Sequence, residues 1–206
     1  MIAERRRKIA KFLSLLVIVG GIAAMLGDIF DITILKSISP AWRSIRFITA
    51  VGFILSGATV YFIIRAFEGE FDKAQVALCV TSFTLVLLMG VSFFSNVLGL
   101  SGVEDLFIKR APAEGKTVIL GRPSMLAILN FLLIAAAAIL VMWKVPNPQP
   151  KLKIIGLVVG LIGATALSGY IINVPVLYHF MQGQGSAMAC PTAILFVLLG
   201  FALLCL

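Results

Sequence analysis

Charge, histidine and cysteine are all scarce in this chain, and each shortage closes off a class of function. Its 206 residues hold 17 Lys and Arg, nine Asp and Glu, three Cys and one His. The lone His179 excludes a bis-histidine haem or a multi-histidine metal site within one chain. Cys79, Cys190 and Cys205 form neither a CxxC metal motif nor a paired extracellular framework, and read as small apolar fillers. No nucleophile–base pair, phosphate loop or carboxylate pair stands within the apolar segments, so the chain does not read as an enzyme and no cofactor can be named.

What the chain has in abundance is hydrocarbon. Hydrophobic residues make up 61% of it and mean hydropathy is +1.10, far beyond the roughly half-apolar profile of soluble domains. Six apolar runs, 9–30, 47–64, 74–100, 123–143, 154–177 and 187–206, come close to the ~20 residues that cross a bilayer core. They consume the chain and leave no room for a soluble domain. The expected fold is therefore all-α and integral to the membrane, with six transmembrane helices and the lipid bilayer as the first partner.

A net charge of +8 would point to nucleic acid in a soluble protein; here topology accounts for it, and no nucleic-acid partner is expected. Arg5, Arg6, Arg7, Lys8 and Lys11 crowd the start of the first run, which by the positive-inside bias holds the N-terminus in the cytoplasm. Six spans then place 65–73, 144–153 and the C-terminus inside, with 99–122 outside.

An internal repeat organises these runs. Thr49-Ala50-Val51-Gly52-Phe53-Ile54-Leu55-Ser56-Gly57 and Thr192-Ala193-Ile194-Leu195-Phe196-Val197-Leu198-Leu199-Gly200 share Thr, Ala, Phe, Leu and Gly at the same offsets. A looser copy around Phe131 keeps the Phe and puts Ala135 at the Gly position. Upstream of each copy, a long apolar run ends in a polar tip that pairs Asp31, Asn96 and Asn173. The repeating unit is a helical hairpin, over 9–66, 73–144 and 151–206, and three units imply a pseudo-threefold arrangement. Gly156 and Gly160 have the small-xxx-small spacing of close helix approach, and Ser and Thr in 81–95 suit a face packed on other helices. Asn130 is expected to hydrogen-bond between helices, and 144–150 to be a stiff proline-rich linker.

The polar tips offer the one candidate ligand site. Asp28, Asp31, Asn96 and Asn173 end the first helices of the hairpins, Thr49 and Thr192 start the second ones, and Tyr170, Tyr178 and His179 lie close in sequence. Gathered at the outer mouth over an apolar floor of Phe side chains, they would suit a lipophilic or amphipathic ligand. The plainer use of the same groups is helix capping.

The pattern Gly-x-Ile-Phe-Asp at 27–31, then Thr-Ala-x-x-Phe-x-Leu-x-Gly at 49–57 and 192–200, resembles the multi-helix N-terminal membrane region that precedes PAS, histidine-kinase and diguanylate-cyclase domains in bacterial and archaeal signalling proteins. The resemblance runs through all three hairpins. It implies a sensory input module in the cytoplasmic membrane of a prokaryote, both termini cytoplasmic, that signals through its last helix to a cytoplasmic output domain. The sequence departs from that pattern by stopping at Leu206, with no linker or PAS domain following. Either an output half belongs after it, or the chain is free-standing with another membrane protein or a second copy as partner. The alternative function is a structural accessory subunit of a larger membrane complex, holding lipid, quinone or pigment. A transporter or channel fits less well, because the spans hold few ionisable groups.

Overall fold

The structure is a computed structural model that describes residues 2–30, 32, 45–98, 123–172, 174–177 and 187–206. Among them the secondary structure is helical: α1 (Ile2–Ile29), α2 (Phe47–Phe67), α3 (Phe71–Leu98), α4 (Met125–Met142), α5 (Pro148–Ile172), a 3-10 turn at Pro175–Leu177, and α6 (Cys190–Leu204). Five helices are long and apolar enough to cross a membrane, the architecture of a multi-pass membrane protein. The expected sixth span falls short. At 15 residues α6 rises about 22 Å, less than a hydrocarbon core of about 30 Å.

The helix ends follow local chemistry more than hydrophobicity. Helix α1 begins seven residues before its apolar run, because Arg and Lys are good helix formers and extend the helix beyond the hydrocarbon. The proline-rich linker is shorter than expected. Pro148 and Pro150 lie in the first turn of α5, where a missing N–H removes no intrahelical bond, while Lys144 and Asn147 turn the chain with φ of 49° and 50°. Gly69 makes the α2–α3 turn at φ 100°, a conformation that strains any side chain.

Helices α2, α4 and α6 form the centre, and α1, α3 and α5 sheathe it. Each sheathing helix packs on the central helix of its own hairpin and on one neighbour: α1 on α2 and α6, α3 on α4 and α2, α5 on α6 and α4. The α1–α6 contact closes the ring. At its middle Phe53, Phe131 and Phe196 are fully buried and mutually in contact, with centroid separations of 5.0, 4.8 and 4.9 Å. These tilted and edge-on pairings are the favoured geometry for aromatic quadrupoles. The outward faces of α1, α3 and α5 carry exposed apolar side chains, among them Phe12, Phe83 and Leu161, as a lipid-facing surface requires.

Burial along the sheathing helices recurs at one set of intervals. Helix α1 buries Ala10, Ser14, Val17, Gly21, Ala24 and Gly27; α3 buries Leu78, Ser82, Leu85, Met89, Ser92 and Ser95; α5 buries Leu152, Gly156, Val159, Gly163, Ala166 and Gly169. The close contacts recur as well. A β-carbon on Gly21 would lie 3.0 Å from the Ala50 oxygen and 3.1 Å from the Ile54 nitrogen; on Gly163 it would lie 2.8 Å from the Ala193 oxygen and 3.0 Å from the Val197 nitrogen. Ala50 and Ile54 stand in the first nonapeptide where Ala193 and Val197 stand in the last.

Two expectations about polar groups in the bundle need correction. Ser82, Ser92 and Ser95 are buried, but Thr84 is exposed on the outer face of α3. Its hydroxyl donates to the Val80 carbonyl one turn back, at 2.8 Å, so it needs no helix partner. Asn130 is fully buried, yet its amide nitrogen and oxygen have no hydrogen-bond partner among the described residues. It occupies on α4 the place that Gly52 holds on α2 and Leu195 on α6, directly before the central phenylalanine. An unpaired buried polar group of this kind costs about 1–3 kcal/mol.

Candidate functional site

The polar tips lie where the sheathing helices end and the chain returns to the centre. Asp28 is buried in the last turn of α1 and its Oδ2 accepts a hydrogen bond from the Phe47 backbone N–H at 3.2 Å. Phe47 is the first residue of α2, so a carboxylate from one helix meets the free N–H groups and positive dipole end of the next. Asn96 is buried in the last turns of α3, and its Nδ2 donates to the Pro123 carbonyl at 3.4 Å, a long bond. Tyr170 stands in the last turn of α5 and its hydroxyl donates to the Met188 carbonyl at 2.7 Å.

Pro123 precedes α4 by two residues and Met188 precedes α6 by two, so the two ties grip the same backbone position. The tying residues also match. Asp28 follows buried Gly27, Asn96 follows buried Ser95 and Tyr170 follows buried Gly169, each at the end of the shared series of buried positions. Burial thus groups Asn96 with Asp28 and Tyr170, whereas the sequence motif groups it with Asp31 and Asn173.

Thr49 and Thr192 are both buried near the starts of α2 and α6. In α4 the same position is Ala127, and polarity moves to the N-cap, where the Ser124 hydroxyl accepts the Ala127 N–H at 3.1 Å. Neither Arg46 before α2 nor Ala189 before α6 gives its helix a side-chain cap. For α2, the Asp28 carboxylate from the neighbouring helix takes that role.

The described tips therefore each engage the backbone of their own hairpin: Asp28 accepts from a helix N–H as a cap does, while Asn96 and Tyr170 donate to carbonyls ahead of the next helix. Asp31, Asn173, Tyr178 and His179 lie outside the described residues. Among the described residues no group of three or more His, Cys, Asp and Glu could hold a metal ion. Sequence reasoning missed Ser124 and the carbonyls of Pro123 and Met188. The serine could have been found as an N-cap directly before an apolar run; the carbonyls leave no mark in side-chain identity. Comparison with family models, curated proteins and solved structures gives no match to this chain.

Proposed function

We propose that this chain is a membrane-embedded sensory input module of a prokaryotic signalling protein, responding to a small lipophilic or extracytoplasmic ligand. In this reading six spans form three like hairpins about a pseudo-threefold axis, with both termini in the cytoplasm. The Phe53–Phe131–Phe196 cluster, the shared series of buried positions and the paired glycine contacts support the repeat. A short α6 fits among longer spans because it packs on α5, α1 and α2.

The observation that carries the functional reading is the set of ties Asp28–Phe47, Asn96–Pro123 and Tyr170–Met188. Each joins a lipid-facing helix to the start of a central one through a single side chain. A ligand that competes for such a group displaces the central helix at its outer end, and close-packed helices pass the displacement on as rigid bodies. Helix α6 would deliver that movement to a cytoplasmic output domain or to a partner membrane protein.

The test joins the chain in frame at Leu206 to a diguanylate-cyclase output half and compares Tyr170→Phe with the native residue. Phenylalanine keeps the ring and removes the bond to Met188. Basal output is expected to change several-fold at equal membrane levels. Equal output, with the chain purifying in fixed stoichiometry with larger membrane proteins, would favour the accessory-subunit role instead.

A further inference from the structure

The end of the bundle where α1, α3 and α5 begin is also where α2, α4 and α6 finish, and contacts bind these segments together. Arg7 Nη1 donates to the Phe67 carbonyl at the end of α2, at 3.1 Å, and the Lys144 ammonium lies 4.5 Å from the centre of the Phe71 ring. Among the described residues this end holds four acidic side chains, of which three are paired with cations. Glu4 meets Lys8 at 3.0 Å, Glu68 meets Lys11 at 2.6 Å, and Glu70 meets Arg65, which holds the Glu70 carboxyl below its ordinary pKa. The fourth, Asp72, stands in the first turn of α3, where the helix dipole favours it.

Cations outnumber these acids. Arg5, Arg6, Lys73, Lys151 and Lys153 belong to the same end and form no ion pair among the described residues. Their placement is specific. All five stand at the feet of α1, α3 and α5, the helices that face outward, and none on a central helix. One turn further along each helix the exposed apolar surface begins: Ile9 after Arg5, Val76 after Lys73, Ile154 after Lys151. Residues three or four apart share a helix face, so each foot stacks a cation beneath a hydrocarbon-facing side chain. Trp143, 76% exposed, stands at the same end, as indole rings do at headgroup depth.

We propose that this rim binds anionic phospholipid headgroups, with a binding position at the foot of each sheathing helix. The chemistry recognised is a phosphate diester carried on acyl chains: the free Arg and Lys take the phosphate, and the apolar face directly above takes the chains. Nucleic acid or an acidic protein would meet the cations but leave the adjoining apolar side chains without a partner. The inference rests on the membrane reading of the bundle and not on a signalling role.

The test equilibrates the purified full chain with an equimolar mixture of phosphatidylcholine and phosphatidylglycerol in detergent, then counts retained lipids by native mass spectrometry. Retained phosphatidylglycerol is expected to exceed phosphatidylcholine several-fold. Arg5→Gln/Arg6→Gln and Lys151→Gln/Lys153→Gln should each bring that ratio closer to one, because each removes the cations from one of the three binding positions. Lys8→Gln, which removes a cation already paired with Glu4, should change it less. Excess inorganic phosphate should leave the bound lipid in place. Equal retention of the two lipids by the native chain would overturn the proposal, and so would displacement by phosphate alone. The native-chain comparison decides even if a variant fails to fold, and neither result depends on signalling output.

Discussion

Replacing Phe196 by Ala is expected to destabilise the folded bundle by about 3 kcal/mol, the lower part of the range for Phe→Ala in cores. The side chain is fully buried and packs on two rings at once, Phe53 at 4.8 Å and Phe131 at 4.9 Å. In a membrane little of the loss comes from hydrophobic transfer, because lipid is as apolar as the core. It comes from dispersion contacts and ring geometry that a cavity cannot replace. Phe53→Ala and Phe131→Ala should cost similar amounts, since each ring also touches the other two. Phe94→Ala is the control. Its ring is 63% exposed on α3, and the change should stay within about 0.5 kcal/mol. Equilibrium unfolding in mixed micelles measures both. Equal costs at Phe196 and Phe94 would mean that the aromatic cluster does not hold the centre together.

The largest effect is expected at Gly200. A β-carbon there would lie 2.6 Å from the Gly156 oxygen and 2.6 Å from the Gly160 α-carbon. Both obstacles are backbone atoms of α5, so no rotamer relieves the clash and the two helices must separate. Gly200→Val should cost more than about 4 kcal/mol and prevent recovery of a monodisperse folded chain. Gly160→Ala provides the contrast: its β-carbon would find its nearest neighbour at 3.7 Å, an ordinary contact. Gly90→Ala meets nothing within 4 Å, and it gains helix propensity worth about 0.8–1 kcal/mol. Gel filtration and thermal unfolding of the three variants check the order. A folded Gly200→Val of native stability would mean that α5 and α6 do not pack at this distance.

The helices were legible in the sequence because long apolar runs leave few other structures in a bilayer. The aromatic centre was legible too, since Phe53, Phe131 and Phe196 are large, alike and in register with Thr49 and Thr192. Register along the sheathing helices was harder. Their buried positions mix Gly, Ala, Ser, Leu and Met at equivalent places, as at Gly21, Met89 and Gly163, and identity there does not reveal equivalence. The motif sets Asn96 beside Asp31 and Asn173, whereas its burial sets it beside Asp28 and Tyr170, three residues earlier.

The tips show a different limit. Their polarity marked Asp28, Asn96 and Tyr170 as special, but their partners are backbone groups of Phe47, Pro123 and Met188, which side-chain patterns do not encode. Asn130 shows the reverse case. Its depth in an apolar helix implied a partner, and among the described residues it has none.

The first and last hairpins meet where α1 packs on α6, and this contact closes a ring around α2, α4 and α6. A β-carbon on Gly20 of α1 would come within 2.9 Å of Leu195 Cδ2 on α6. Gly20→Cys and Leu195→Cys, introduced together with Cys79, Cys190 and Cys205 changed to Ser, place two thiols at that junction. Mild oxidation in membranes, followed by non-reducing electrophoresis and mass spectrometry of the cleaved chain, reads whether they join. The closed ring predicts a disulfide within one chain in high yield. Free thiols, or a disulfide only between chains, would contradict it.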